Sequence, residues 1–136
     1  MRDIDHVAPD SPSAVVSLFW RLMESNDFRA VGAVLSDDFV LEWPQTRELI
    51  RGRDNFAAIN EEYPAQGRWR FTVNAIVGDE QRAVSDVSVT DGARSDRAIS
   101  FFTVEDGKIA RMVEFWPEPA PAPDNRRHLV ELLDAD

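Results

Sequence analysis

The sequence predicts an α+β fold, a curved and mostly antiparallel sheet with three N-terminal helices packed on its concave side. Two observations carry that expectation. Apolar residues recur at helical spacing through the first half of the chain, whereas from Trp69 onward four runs rich in β-branched and aromatic residues are divided by short Gly and Asp turns. A third sets the scale: 136 residues, 43% of them hydrophobic, suffice for one core without disulfide or metal staples.

In chain order, residues 1–11 read as a flexible arm, because no periodicity precedes Ser11-Pro12. Ser11 offers an N-cap oxygen and Pro12 a first helical position, and Val15, Leu18, Phe19, Leu22 and Met23 then follow a helical stripe to about Asn26. Asp27 can cap a second, shorter helix carrying Phe28, Val31, Val34 and Leu35 inward and ending at Ser36-Asp37-Asp38. A short strand runs from Phe39 to Trp43 and stops at Pro44. Gly52 and Asp54 precede a third helix with Phe56, Ile59 and Tyr63 inward, closed by Pro64. Strands follow at about 69–77, 83–90, 98–104 and 109–116. Residues 119–136 form a proline-rich segment and a short C-terminal helix whose Leu129, Val130, Leu132 and Leu133 would dock on a neighbour.

The last two strands form a hairpin around Glu105-Asp106-Gly107. Asp-Gly alone suits a two-residue turn, but Glu-Asp-Gly also suits a three-residue loop closed by a left-handed Gly107, and the longer loop is preferred. It sets Val104 opposite Lys108 and Ser100 opposite Met112. One face then carries Ala98, Ser100, Phe102, Ala110, Met112, Glu114 and Trp116, and the other Ile99, Phe101, Thr103, Ile109, Arg111, Val113 and Phe115. Both are too apolar to leave in water, so the outer face is expected to form a homodimer, with Arg111 available to an acidic residue across the two-fold axis.

Charge narrows the partners. Fifteen Lys and Arg against 25 Asp and Glu give a net charge of -10, which repels nucleic acid and anionic membranes. The absence of cysteine excludes disulfides and thiolate chemistry, and His6 and His128 form no metal-spaced cluster, so neither metal nor other cofactor is expected. Without a signal-like N-terminus or an apolar run of membrane-spanning length, the expected location is cytoplasmic.

The order helix, helix, short strand, helix, four strands resembles the nuclear-transport-factor-2-like superfamily, and its SnoaL-like, polyketide-cyclase-like branch in particular. The carrying residues are Asp38-Phe39-Val40-Leu41-Glu42-Trp43-Pro44, Arg51-Gly52-Arg53-Asp54-Asn55-Phe56, and Asp106-Gly107-Lys108-Ile109 through Glu114-Phe115-Trp116-Pro117. The likeness spans residues 12–118, taken as the SnoaL-like domain. It implies a cone-shaped cavity and is silent on activity, since the fold hosts isomerases, cyclases, dehydratases, hydrolases and binders. Its ketosteroid-isomerase branch needs a carboxylate base and an oxyanion hole of tyrosine and protonated aspartic acid. The resemblance places Trp43, Phe19 and Ser100 at those three positions, which argues against that reaction here. The hairpin aspartate of the SnoaL cyclases also falls at Ser100.

The hairpin face is the expected cavity wall, so the candidate ligand-binding residues are Trp20, Trp43, Tyr63, Trp69, Ser100, Phe102, Met112 and Trp116, with core packing as the alternative role for each aromatic. Glu114, between Met112 and Trp116, is the first candidate catalytic carboxylate, because desolvation raises a carboxyl pKa toward the range useful for acid/base work. An ion pair with Arg70 or Arg97 is the structural alternative. Asp86, amid Val84, Val87 and Ser88, is the second. Two functions follow: binding of an apolar small molecule, oriented by Glu42, Glu114 or Ser100, or SnoaL-like catalysis as a cyclase, isomerase or hydrolase with Glu114 or Asp86 as general base.

Overall fold

A computed structural model describes residues 10–134, so most of the expected arm, His6 included, lies outside the described residues. Helix α1 (Pro12–Glu24) begins as its sequence requires, with the Ser11 hydroxyl accepting from the Ala14 N–H at 3.3 Å. Its inward face is Val15, Val16, Phe19, Trp20 and Met23, while Leu18 points outward. The chain leaves α1 through Asn26, which takes a left-handed φ of 63°.

The expected second helix is only a 3-10 turn, Ala30–Val34. Its core residues are right, since Phe28, Val31 and Val34 are buried. A five-residue span of two Val around Gly32 is too short and too poor a helix former to propagate an α-helix. Leu35 turns extended instead, so strand β1 (Leu35–Trp43) starts four residues before the expected Phe39. An edge strand that the sequence reading lacked, β2 (Glu48–Arg51), follows a tight turn at Pro44–Arg47, and α2 (Gly52–Glu62) comes next. Strands β3 (Arg70–Gly78), β4 (Arg82–Thr90), β5 (Ser95–Glu105) and β6 (Lys108–Phe115) agree with expectation within three residues. The sheet order is β2-β1-β6-β5-β4-β3, antiparallel throughout except for β1 beside β6. Phe19 anchors α1 to this sheet, its ring edge-on to Trp20 at 4.9 Å and to Phe102 at 5.4 Å.

The hairpin register differs from expectation in an instructive way. Asp106 and Gly107 both take positive φ, 52° and 74°, which is the two-residue type I′ turn, and Glu105 pairs with Lys108. That register alone would reverse the faces. A bulge then inserts Ala110, so Val104 pairs with Ile109 but Thr103 pairs with Arg111. Beyond it Phe102 faces Met112 and Ser100 faces Glu114, restoring the expected inward set by a different route. Ile109 is corrected from the outer face to the core, where it is 0% exposed.

The outer face carries Phe101 and Phe115 edge-on at 6.1 Å, both solvent-exposed, and Arg111 there pairs with Glu42 of the same chain. The expected C-terminal helix is a 3-10 turn, Asp124–Leu129, with no buried residue, and Leu133 is 97% exposed. Prolines at 117, 119, 121 and 123 hold the segment extended, and its apolar stripe finds no surface to make helix formation favourable.

The bulge yields a direct test by chemical denaturation. Ile109→Ala should lower the unfolding free energy by about 2–5 kcal/mol, as for other fully buried aliphatics, whereas Ala110→Ser should stay within about 0.5 kcal/mol. Equal, small effects would put Ile109 back on the outer face.

Candidate functional site

A row of polar side chains crosses the concave face of the sheet. Ser85 on β4 lies opposite Ser100 on β5, and Ser100 lies opposite Glu114 on β6. All three are buried among Phe19, Phe102, Val87 and Met112, so each polar atom needs a partner. The Trp20 indole N–H donates to Ser85 Oγ at 3.0 Å. The Ser100 hydroxyl donates to Glu114 Oε2 at 2.7 Å, and the Trp43 indole N–H donates to Glu114 Oε1 at 3.0 Å. Trp43 reaches this carboxylate because β1 runs beside β6 with Glu42 paired to Val113, which brings the next residue alongside Glu114.

Glu114 is 4% exposed, and among the described residues it has no ion pair, neither with Arg70 nor with Arg97. Burial pushes its carboxyl above the ordinary value. The Ser100 hydroxyl and the Trp43 indole oppose that shift, Trp116 adds a lesser contribution, and desolvation wins.

Above Glu114 opens a cavity of about 300 Å³, which places it at the small end of ligand sites. Of the expected residues, Trp20, Trp43, Tyr63, Trp69, Met112, Glu114 and Trp116 line it. Ser100 and Phe102 do not; Ser100 lies behind Glu114, and Phe102 is core against Phe19. Asp86 does not reach the cavity either, because it points to the outer face, where Arg97 and Asn74 bond it and the Arg97 guanidinium holds its carboxyl below the usual range. Glu42, the other proposed orienting group, pairs with Arg111 on that face.

The reading of the sequence missed Phe28, Asn60, Phe71 and Arg94, all of which line the cavity. Phe71 stands tilted to Trp20 at 5.6 Å, and its inward position follows from the alternation that had already placed Trp69. Local contacts fix the rim. Asn26 accepts from the Trp69 N–H at 2.9 Å and donates to the Trp69 carbonyl at 2.8 Å, clamping the start of β3 to the end of α1. Asp91 accepts backbone N–H bonds from Gln66, Ala93 and Arg94, which depress its carboxyl to about 2 and fix the turn that presents Arg94. Arg94 in turn donates to Asp96 at 2.7 Å. No group of three or more metal-ligating side chains occurs among the described residues, and no helix there is long and apolar enough to cross a membrane.

A curved six-stranded sheet packed against helices is the nuclear-transport-factor-2-like α+β fold. The SnoaL-like domain model matches residues 16–112, and the chain belongs to that family. A candidate ketosteroid isomerase from Kribbella flavida is 33% identical over 92% of this chain and 91% of its own, with a TM-score of 0.83. An NTF-2-like protein of unknown function from Burkholderia xenovorans is 24% identical over 88% and 93% (TM-score 0.73), and a candidate SnoaL-like polyketide cyclase from Jannaschia shares the fold at 14% identity over 82% and 90% (TM-score 0.64). No curated protein matches the chain.

The raised carboxyl makes a stability prediction with a defined sign. Folding holds the Glu114 proton more tightly than the unfolded chain does, so Glu114 costs nothing below its unfolded pKa and costs progressively more as pH rises through the folded one. Glu114→Gln, which keeps an acceptor for Trp43, should therefore gain stability over the parent as pH increases from 4 toward 8 in parallel denaturation curves. A difference independent of pH would place the carboxylate in water.

Proposed function

We infer that the protein binds a small, largely apolar molecule in this cavity and orients it against Glu114. The observation that supports the reading is the enclosure itself. Nine aromatic side chains line a space of about 300 Å³ whose floor is one desolvated carboxyl held by neutral donors, the usual pattern of a site that is mostly apolar with few placed polar groups. The neutral fluorescent probe N-phenyl-1-naphthylamine should bind with a stoichiometry near one per chain, and Trp69→Ala should weaken it about tenfold. An unsaturable or absent signal would count against a ligand cavity.

One observation favours a second reading, SnoaL-like catalysis. A carboxyl with a raised pKa inside a cavity suits general acid/base work, whether cyclisation, isomerisation or hydrolysis. The similarity to a candidate ketosteroid isomerase does not choose among these, because Trp43 and Ser100, which the resemblance sets at the base and oxyanion-acid positions, here both bond Glu114. For any turnover found, Glu114→Gln should cost about 10²–10⁴-fold in rate, while Asp86→Asn should cost little.

A homodimer through the outer sheet face belongs to the same proposal, supported by the exposed pair Phe101 and Phe115. Arg111, committed to Glu42, is not assigned to it. Sedimentation should show a dimer that Phe101→Glu dissociates; a 15.4 kDa species alone at micromolar concentration would rule it out.

A further inference from the structure

The carboxylate at the cavity floor is equipped for charge and, among the described residues, lacks a counterion. Its two oxygens each accept a bond from a neutral donor, Ser100 Oγ–H at 2.7 Å and Trp43 Nε1–H at 3.0 Å, an arrangement in which the ionised form is the better acceptor. Buried charges in proteins are normally paired with a cation or neutralised. Among the described residues no Lys, Arg or His pairs with Glu114. Among the described residues Arg94 is the sole cationic side chain on the cavity lining, and it is bound to Asp96.

The remainder of the lining repeats the same bias. Glu48, Asp96, Glu114 and Glu118 face the cavity or its mouth against that single guanidinium, and the whole chain carries a net charge of -10. Nine aromatic side chains stand along the intervening wall, and aromatic faces attract cations, most strongly where water is excluded. A neutral apolar ligand would use the rings and leave the carboxylate without its counterion. An anion would meet Glu48, Glu114 and Glu118, with the lining guanidinium already held by Asp96.

The geometry points to an organic cation as the ligand class, an alkylated or quaternary ammonium group on a small apolar body, with the ammonium beside Glu114 and the body among the rings. This rests on the ligand-cavity reading above and names the charge that reading leaves open. The ligand brings the positive charge that the protein withholds, so binding and ionisation of Glu114 go together.

The test compares phenyltrimethylammonium with its neutral isostere tert-butylbenzene, which differ by one atom and one charge, on the full chain by calorimetry and tryptophan fluorescence. In 0.15 M salt the cation should bind about tenfold or more tightly than the isostere, and most of that preference should survive 0.5 M salt, where attraction to the acidic surface at large is screened. Glu114→Gln should weaken the cation about tenfold and leave tert-butylbenzene within about twofold. If tert-butylbenzene binds the parent protein as tightly as the cation, the cavity stands and the cation preference is refuted, with no reference to any variant's folding. If neither probe binds, the cavity reading falls as well. A cation preference that Glu114→Gln leaves intact, or that disappears in salt, also overturns the assignment.

Discussion

One inserted residue sets the chemistry of this molecule. The type I′ turn at Asp106-Gly107 begins β6 in a register that would send alternate residues to the wrong side, and the bulge at Ala110 shifts the strand by one position. Ile109, Met112 and Glu114 therefore all face inward, although Ile109 and Met112 stand three positions apart, an odd offset that simple alternation would put on opposite faces. Because β6 sits between β1 and β5, the bulge also decides which neighbours Glu114 meets, Trp43 on one side and Ser100 on the other.

The cost of that placement is borne locally. A buried carboxyl loses its hydration, and its neutral donors return only part of it, so its proton is held above the ordinary range. Asp91, scarcely more exposed, shows the opposite balance in the same molecule: three backbone N–H groups converge on it and keep it ionised. The two carboxyls do different work for that reason. Asp91 fixes a turn at the rim, whereas Glu114 presents its carboxyl to the cavity.

Much of this was legible in the sequence, and the remainder was hidden for identifiable reasons. The α+β order, five of the six strands and the inward set of Ser100, Met112 and Glu114 follow from periodicity and turn residues. The bulge was invisible because Ala110 is small enough for either face, so the pattern did not show the extra residue. Strand β2 escaped because a four-residue edge strand with one buried side chain, Ile50, has no period to detect. The second helix failed where burial and helix propensity disagree: Val31 and Val34 pack as a helix would pack them, in a span that only a 3-10 turn fills. Asp86 looked like Glu114 in sequence, a carboxylate among valines, and only the outward direction of β4 at that position, with Arg97 beside it, separates them. Charge partners at long range are where sequence patterns carry least, as Arg111 with Glu42 also shows.

Glu114 is a buried carboxyl held by neutral donors and, among the described residues, by no cation. A carbon-13 NMR titration of the glutamate side-chain carboxyl carbons, with the Glu114 resonance assigned by its absence from the Glu114→Gln spectrum, tests this most directly. This one resonance should titrate clearly above the ordinary glutamate value of about 4.3, and above the exposed glutamates of the same chain. A Glu114 resonance that titrates together with those surface groups, or below them, would contradict it.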